Sequence, residues 1–217
     1  MSREPLQYLL GTAPFRRIEL LVGPGVFIPR PETELVAGHA LDRLPQGGTL
    51  LDVCTGSGAI ALAAADERPD ATVIATEVSG DALTWAGRNR DRLRLPVEIL
   101  ACDLFAGLPV ALRGGVDVVV GNPPYVDTAE RDRLPADVAD HEPPEALFAP
   151  ERGTSVIERI ARGAPEWLKP GGWLVLEIGE TQGPEVVRIL VEGGYADVSV
   201  EPDLTGRDRI ALGRRAA

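Results

Sequence analysis

From Thr49 to Ile178 the sequence alternates between two periods. Short, mostly apolar and β-branched runs at Thr49–Val53, Ala71–Thr76, Val97–Ala101, Val116–Val120 and Trp173–Ile178 read as strands. Between them, Ala59–Glu67, Asp81–Leu93 and Ser155–Leu168 carry helical patterns. Alternating β and α restricts the chain to an α/β fold, a mostly parallel sheet with helices on both faces. Pro31–Leu44 reads as a further helix, with Glu32 and Glu34 favouring its N-terminal dipole. A last helix is expected over Pro184–Glu192, and closing strands near Ala196–Val200 and Arg209–Leu212. Residues 6–28 read as a β-rich opening segment with candidate strands Phe15–Leu21 and Val26–Ile28, and residues 122–151 as one long loop. The only internal boundary falls near residue 30, giving a hairpin segment over 1–30 and a main domain over 31–217.

Sheets of this type bind ligands beyond the carboxyl ends of their strands. Three such ends carry chemistry. At the first, Asp52-Val53-Cys54-Thr55-Gly56-Ser57-Gly58 is a glycine-rich turn into a helix, whose unpaired N–H groups suit a carboxylate or phosphate. At the second stands Glu77, and at the third Asp103 with Leu104 and Phe105. Gly56-x-Gly58-x-x-Ala61 also fits the looser dinucleotide fingerprint. Against that reading, Asp52 puts negative charge where pyrophosphate would lie. S-adenosylmethionine satisfies every position. Its carboxylate would take the loop amides and its ammonium would lie toward Asp52. Its ribose diol would meet Glu77, its adenine amino group Asp103, and Leu104 or Phe105 would pack on the ring. Each acid has a bland alternative taken singly: Asp52 as a turn cap, Glu77 as a solvated strand end, Asp103 as an N-cap. Three together at three strand ends favour a ligand.

The fourth strand end is Asn122-Pro123-Pro124-Tyr125. Each proline fixes its own φ and restricts the residue before it. A stiff row of carbonyl acceptors results, beside an aromatic face. Such a corner suits a planar NH2 group held while a group is added to its nitrogen. The Asn122 and Pro123 carbonyls would accept the two N–H bonds, and Tyr125 would wall the amide. A proline-stiffened turn without chemistry is the alternative.

The formal net charge of -11 argues against a general nucleic-acid binder, which needs a basic face. Arg88, Arg90, Arg92 and Arg94 spread around their helix rather than line one side. No apolar stretch is long enough to span a membrane and the first ten residues do not read as a signal peptide, so the cytoplasm is expected. Cys54 and Cys102 make no disulfide framework, and they form no metal-ligand spacing with His39 or His141. His39 is expected on a helix surface. His141 lies within the long loop, where contact with a substrate is one option.

These motifs resemble the protein-(glutamine-N5) methyltransferases of the HemK/PrmC type, which modify the glutamine of the Gly-Gly-Gln motif in peptide chain release factors. The resemblance runs from about Tyr8 to Leu212. It rests on Tyr8-Leu9-Leu10-Gly11, Phe15, the characteristic Ile28-Pro29-Arg30-Pro31-Glu32-Thr33-Glu34, the Asn-Pro-Pro-Tyr turn, and His141-Glu142-Pro143 followed by Ala146-Leu147. It implies a seven-stranded class I methyltransferase sheet with the last strand antiparallel. Asp52, Cys54 to Gly58, Glu77, Asp103, Leu104 and Asn122 would hold the cofactor. Asn122, Pro123 and Tyr125 would serve catalysis, and Asn122 to Tyr125 with Arg30 and Glu142 would grip the substrate. In that fold a strand separates the two cysteine-bearing strands by roughly 9–10 Å, so Cys54 and Cys102 should not bridge. Cys54 stands where the family usually has glycine. The family also usually begins with a separate helical module, whereas this sequence opens almost at the hairpin. A protein substrate and a monomeric enzyme are expected. Ribosomal-protein glutamine methyltransferases and adenine-N6 methyltransferases are the alternatives.

Overall fold

The computed structural model describes residues 4–150 and 152–217. A short helix, α1 (Leu6–Leu10), leads into an antiparallel hairpin of β1 (Thr12–Phe15) and β2 (Ile18–Leu21). The expected single strand Phe15–Leu21 is thus two strands. Arg16 adopts a left-handed φ of 51° and reverses the chain, its guanidinium anchored by Glu67 at 2.8 Å and by the Glu34 carbonyl at 2.9 Å. Both partners are distant in sequence, so local pattern carries no sign of the turn. Val26–Ile28 is not a strand either. Gly23-Pro24-Gly25 and Pro29 flank it, and proline donates nothing to a ladder. Val26 and Ile28 are instead buried as irregular chain against Tyr8 and Ala82.

The main body follows the expected order. It comprises α2 (Pro31–Arg43), β3 (Thr49–Val53), α3 (Ala59–Glu67), β4 (Thr72–Glu77), α4 (Gly80–Leu93), β5 (Val97–Ala101) and β6 (Val116–Gly121). The stretch expected as one loop contains β7 (Val126–Asp127), a 3-10 turn, α5 (Ala136–Ala139), α6 (Pro144–Leu147) and β8 (Phe148–Ala149). These pieces are too short to show a hydrophobic period. The chain closes with α7 (Ser155–Trp167), β9 (Leu168–Glu177), α8 (Gly183–Glu192), β10 (Tyr195–Pro202) and β11 (Asp208–Arg215). The expected Pro170-Gly171-Gly172 turn lies inside β9, as the irregularity between the pairs Val116↔Leu168 and Val118↔Trp173.

Seven strands form one sheet in the order β10-β11-β9-β6-β3-β4-β5. β11 is antiparallel to both its neighbours and β3, β4, β5, β6 and β9 are mutually parallel, as expected for this sheet type. Residue parity divides the core. Leu50, Val118, Val120 and Val175 face the helices α2 and α3, where Phe15 and Leu20 of the hairpin also pack. Leu51, Val53, Val119, Leu174 and Leu176 face α7 and α8. The same parity sends Asp52 toward α3. It sends Asn122, just past β6, and Glu177, at the end of β9, toward the head of α2. The register Val120↔Val175, Gly121↔Leu176 sets those two residues side by side.

Candidate active site

A cavity of about 330 Å³ opens at the carboxyl ends of the parallel strands. The glycine turn, Glu77 and Leu104 form one part of its wall, and Asn122, Pro124 and Tyr125 another. Phe27 and Pro29, from the irregular segment after the hairpin, close one side. Ala146 and Leu147 of α6 close the other.

The glycine turn is braced from within. Asp52 is fully buried, and its Oδ2 accepts from Thr55 Oγ1 at 2.6 Å and from the Ala61 amide at 3.1 Å. Its Oδ1 has no hydrogen-bond partner among the described residues. Burial pushes the Asp52 carboxyl up to about 7, against the pull of its Thr55 and Ala61 hydrogen bonds. Asp52 belongs to the cavity lining, and an unpartnered carboxylate oxygen buried behind that wall fits a cationic group on its other side. Glu77 is a second brace. Its Oε2 accepts from Gly56 N at 2.9 Å, while Oε1 accepts from Val78 N at 2.8 Å and Ser79 N at 3.0 Å. The Gly56 amide is therefore engaged by Glu77, and that of Gly58 by the Thr55 carbonyl at 2.9 Å. Ala59 and Ile60, at the head of α3, line the cavity, and the first-turn amides of a helix are the donors an anion would use there. Cys54 holds a φ of 59°, a conformation glycine adopts without strain. Its thiol is pushed well up, first by burial and then by Glu77 and Asp52, so it is no nucleophile.

The diproline corner is held by residues far away in sequence. Asn122 Nδ2 donates to Thr33 Oγ1 at 3.2 Å, and Thr33 Oγ1 donates to Glu177 Oε2 at 2.6 Å. Tyr125 OH donates to the other Glu177 oxygen at 3.0 Å. The Tyr125 carbonyl accepts from Gln182 Nε2 at 2.8 Å. Glu177 is almost fully buried. Its carboxyl is raised on balance, by burial first and against the pull of Thr33, Tyr125 and Arg209. The Tyr125 hydroxyl is likewise driven up by burial and by Glu177, so it stays protonated.

The structure brings most of the expected residues together. Asp52, Cys54, Thr55, Gly56, Ser57, Glu77, Asp103, Leu104, Asn122, Pro124 and Tyr125 all line the cavity. Gly58 does not. It shapes the turn with a φ of 86°, and a Cβ there would meet Leu62 at 2.8 Å. Pro123 is buried and is not part of that wall. Asp103 Oδ2 is bonded to Arg159 at 2.7 Å, a half-exposed pair at the rim. Arg30 and Glu142 form an ion pair with each other off the main cavity wall, and Arg30 borders a smaller recess with Glu32, Tyr125, Glu177 and Arg209. His141 lies off the cavity wall too. His39 sits on α2 beside Arg43, and both cysteines are free. The arginines of α4 disperse, Arg90 to Asp91 and Arg92 to Glu19. Sequence reasoning missed Thr33, Glu177, Gln182 and Asn89 as site residues. Asn89 is fully buried, and its Nδ2 donates to the carbonyls of Ser57 and Leu21 at 3.0 Å each, tying the hairpin to the glycine turn. The one available signal was Thr33 within Pro31-Glu32-Thr33-Glu34, a motif already singled out as a unit.

Fold and cavity together define an α/β methyltransferase, and the model of the Methyltransferase small domain family matches residues 20–138. The chain is 46% identical to the release factor glutamine methyltransferase of Streptomyces coelicolor, covering 99% of this chain and 77% of that protein. It is 45% identical to that of Mycolicibacterium smegmatis, covering 100% and 76%. Among solved structures, the release factor-specific protein-(glutamine-N5) methyltransferase of Alicyclobacillus acidocaldarius superposes with a TM-score of 0.52 at 29% identity, covering 90% and 99%. The chain belongs to the release factor glutamine methyltransferase family. Among the described residues no helix is long and apolar enough to cross a membrane.

Proposed function

We propose that this chain methylates the side-chain amide nitrogen of a glutamine in a protein, namely the Gly-Gly-Gln glutamine of a peptide chain release factor, in the cytoplasm and as a monomer. The observation that carries the reading is the Asn122 amide. Its NH2 is turned onto Thr33, which leaves Oδ1 as the acceptor at the cavity wall.

S-adenosylmethionine fits the rest of the cavity, and when bound it supplies an electrophilic methyl group. Asp52 Oδ1 would hold its ammonium and the first-turn amides of α3 its carboxylate. Glu77, already fixed by three amides, would accept from its ribose diol. Asp103 and Leu104 would meet its adenine.

A glutamine amide nitrogen is a poor nucleophile because its lone pair is delocalised. Asn122 Oδ1 accepts one of its N–H bonds, fixes the nitrogen, and favours the positive charge that grows there. Pro124 and Tyr125 wall the planar amide and exclude water. A proton leaves the nitrogen after transfer, so no strong base is needed at the corner.

The test is transfer from methyl-labelled cofactor to a release factor, a ribosomal protein and DNA offered separately. Label on the release factor glutamine is expected. Label confined to the ribosomal protein or to DNA contradicts the substrate assignment.

A further inference from the structure

We propose that Glu177, acting through Thr33, sets the orientation of the Asn122 side-chain amide, so that its carbonyl and not its NH2 faces the substrate. The inference rests on the proposed glutamine reaction for its kinetic consequences and on geometry for the orientation itself.

An asparagine amide presents an acceptor on one side and two donors on the other, and the two are nearly identical in shape. Only the acceptor end can hold a substrate N–H. Something must therefore distinguish the ends, and Asn122 is the residue where β6 gives out. The distinction comes from hydrogen-bond polarity. A carboxyl oxygen that carries no proton only accepts. Glu177 takes one donor on each oxygen, Thr33 at 2.6 Å and Tyr125 at 3.0 Å. The single hydrogen of the Thr33 hydroxyl is thereby committed to Glu177. What remains on Thr33 Oγ1 is lone pairs, so the amide that meets it at 3.2 Å must turn its NH2 inward. The carbonyl is left for the cavity. Glu177 also ties down the Tyr125 hydroxyl, so one buried carboxylate fixes both ends of the tetrapeptide. Preorganisation of this kind places the acceptor before the substrate arrives. Thr33 and Glu177 are positioning residues, and neither needs to touch the reacting nitrogen.

Two measurements test it. The first needs no activity. In ¹⁵N NMR spectra, hydrogen exchange of the Asn122 side-chain NH2 should be protected in the native protein. It should quicken about tenfold or more in T33V and E177L. Unchanged exchange in both variants overturns the inference even if no glutamine substrate is ever found. The second is kinetic, with the glutamine substrate and with thermal melts to establish folding. T33V should lower kcat about tenfold or more, while calorimetric affinity for S-adenosylmethionine changes less than about threefold. T33S, which keeps the hydroxyl, should restore kcat to within about threefold. E177L should also lower kcat, because the Thr33 hydrogen then has no carboxylate to meet and is free to donate to the Asn122 carbonyl, which reverses the polarity of the chain. In the N122A background T33V should add no further loss, since its effect passes through Asn122. Losses that multiply, a T33S as impaired as T33V, or a silent E177L each contradict the inference. Failure of the native protein to methylate any glutamine would contradict the proposed function instead, leaving the exchange result to decide the orientation.

Discussion

On the glycine-turn side of the cavity, the bonds that shape the site span three and nine positions, from Thr55 and Ala61 to Asp52, and at most 21 and 32, from Gly56 to Glu77 and Ser57 to Asn89. On the diproline side they span 89 and 144, from Asn122 and Glu177 to Thr33. Both sides stand at strand ends of one sheet, yet they are specified differently. The glycine turn carries most of its own instructions, because a strand, two glycines and a helix head lie next to one another in sequence, and its outside braces, Glu77 and Asn89, come from the next βα unit. The diproline corner is rigid on its own through Pro123 and Pro124. Its orientation, however, depends on the register between β6 and β9 and on where α2 begins. Damage to the first side should therefore be read mainly in cofactor affinity, and damage to the second mainly in turnover.

The largest effect that would sharpen this division is at Asn122. N122A should lower kcat about 10²-fold or more, or about 2.7 kcal/mol of barrier, with cofactor affinity weakened much less. Steady-state kinetics beside calorimetry would show the split, and parallel losses would erase the distinction. Next comes Gly153, whose φ of 81° and close approach leave no room for a side chain: a Cβ would meet the Tyr125 carbonyl oxygen at 1.9 Å. G153A should cost roughly 1–3 kcal/mol in denaturant titrations and reduce turnover with it. Unchanged stability would show that the backbone at the corner yields easily. On the other side, E77A should weaken cofactor binding roughly tenfold or more, because the ribose acceptor goes and the Gly56, Val78 and Ser79 amides lose theirs. Affinity left unchanged in calorimetry would remove Glu77 from the ligand.

The smallest effect is in pH. Asp52 is raised to about 7 in the folded protein, chiefly by burial. Its native form holds a proton that the unfolded chain has already lost, so its contribution to stability is fully present below about pH 4 and falls as pH rises toward 7. A cationic ligand group beside Oδ1 works the other way, because it favours the ionised acid. Cofactor affinity should therefore rise by at most about tenfold between pH 6 and pH 8, with proton release on binding. Both signatures should vanish in D52N. Affinity that is flat with pH in the native protein would separate Asp52 from the ammonium.

The contrast between the two sides also explains what could be read before folding. The β–α alternation announced the sheet, and Asp52, Gly56 and Glu77 announced the cavity, because strand ends follow from periodicity alone. Asn122 and Tyr125 were legible because proline restricts its neighbours locally. Thr33 and Glu177 were not, since their meeting requires the register Gly121↔Leu176 and the parity of two strands. The hairpin turn at Arg16 was hidden for a similar reason: its support comes from Glu34 and Glu67, 18 and 51 positions away. Arg30 and Glu142 belong to recognisable motifs, but only the fold reveals that they pair with each other.

The most direct measurement is a crystal structure of this chain with S-adenosylhomocysteine. The account predicts the sulfur turned toward the Asn122 carbonyl oxygen, with the ligand ammonium at Asp52 and its ribose at Glu77. A ligand seated elsewhere, or an Asn122 presenting its NH2 to the sulfur side, would contradict it.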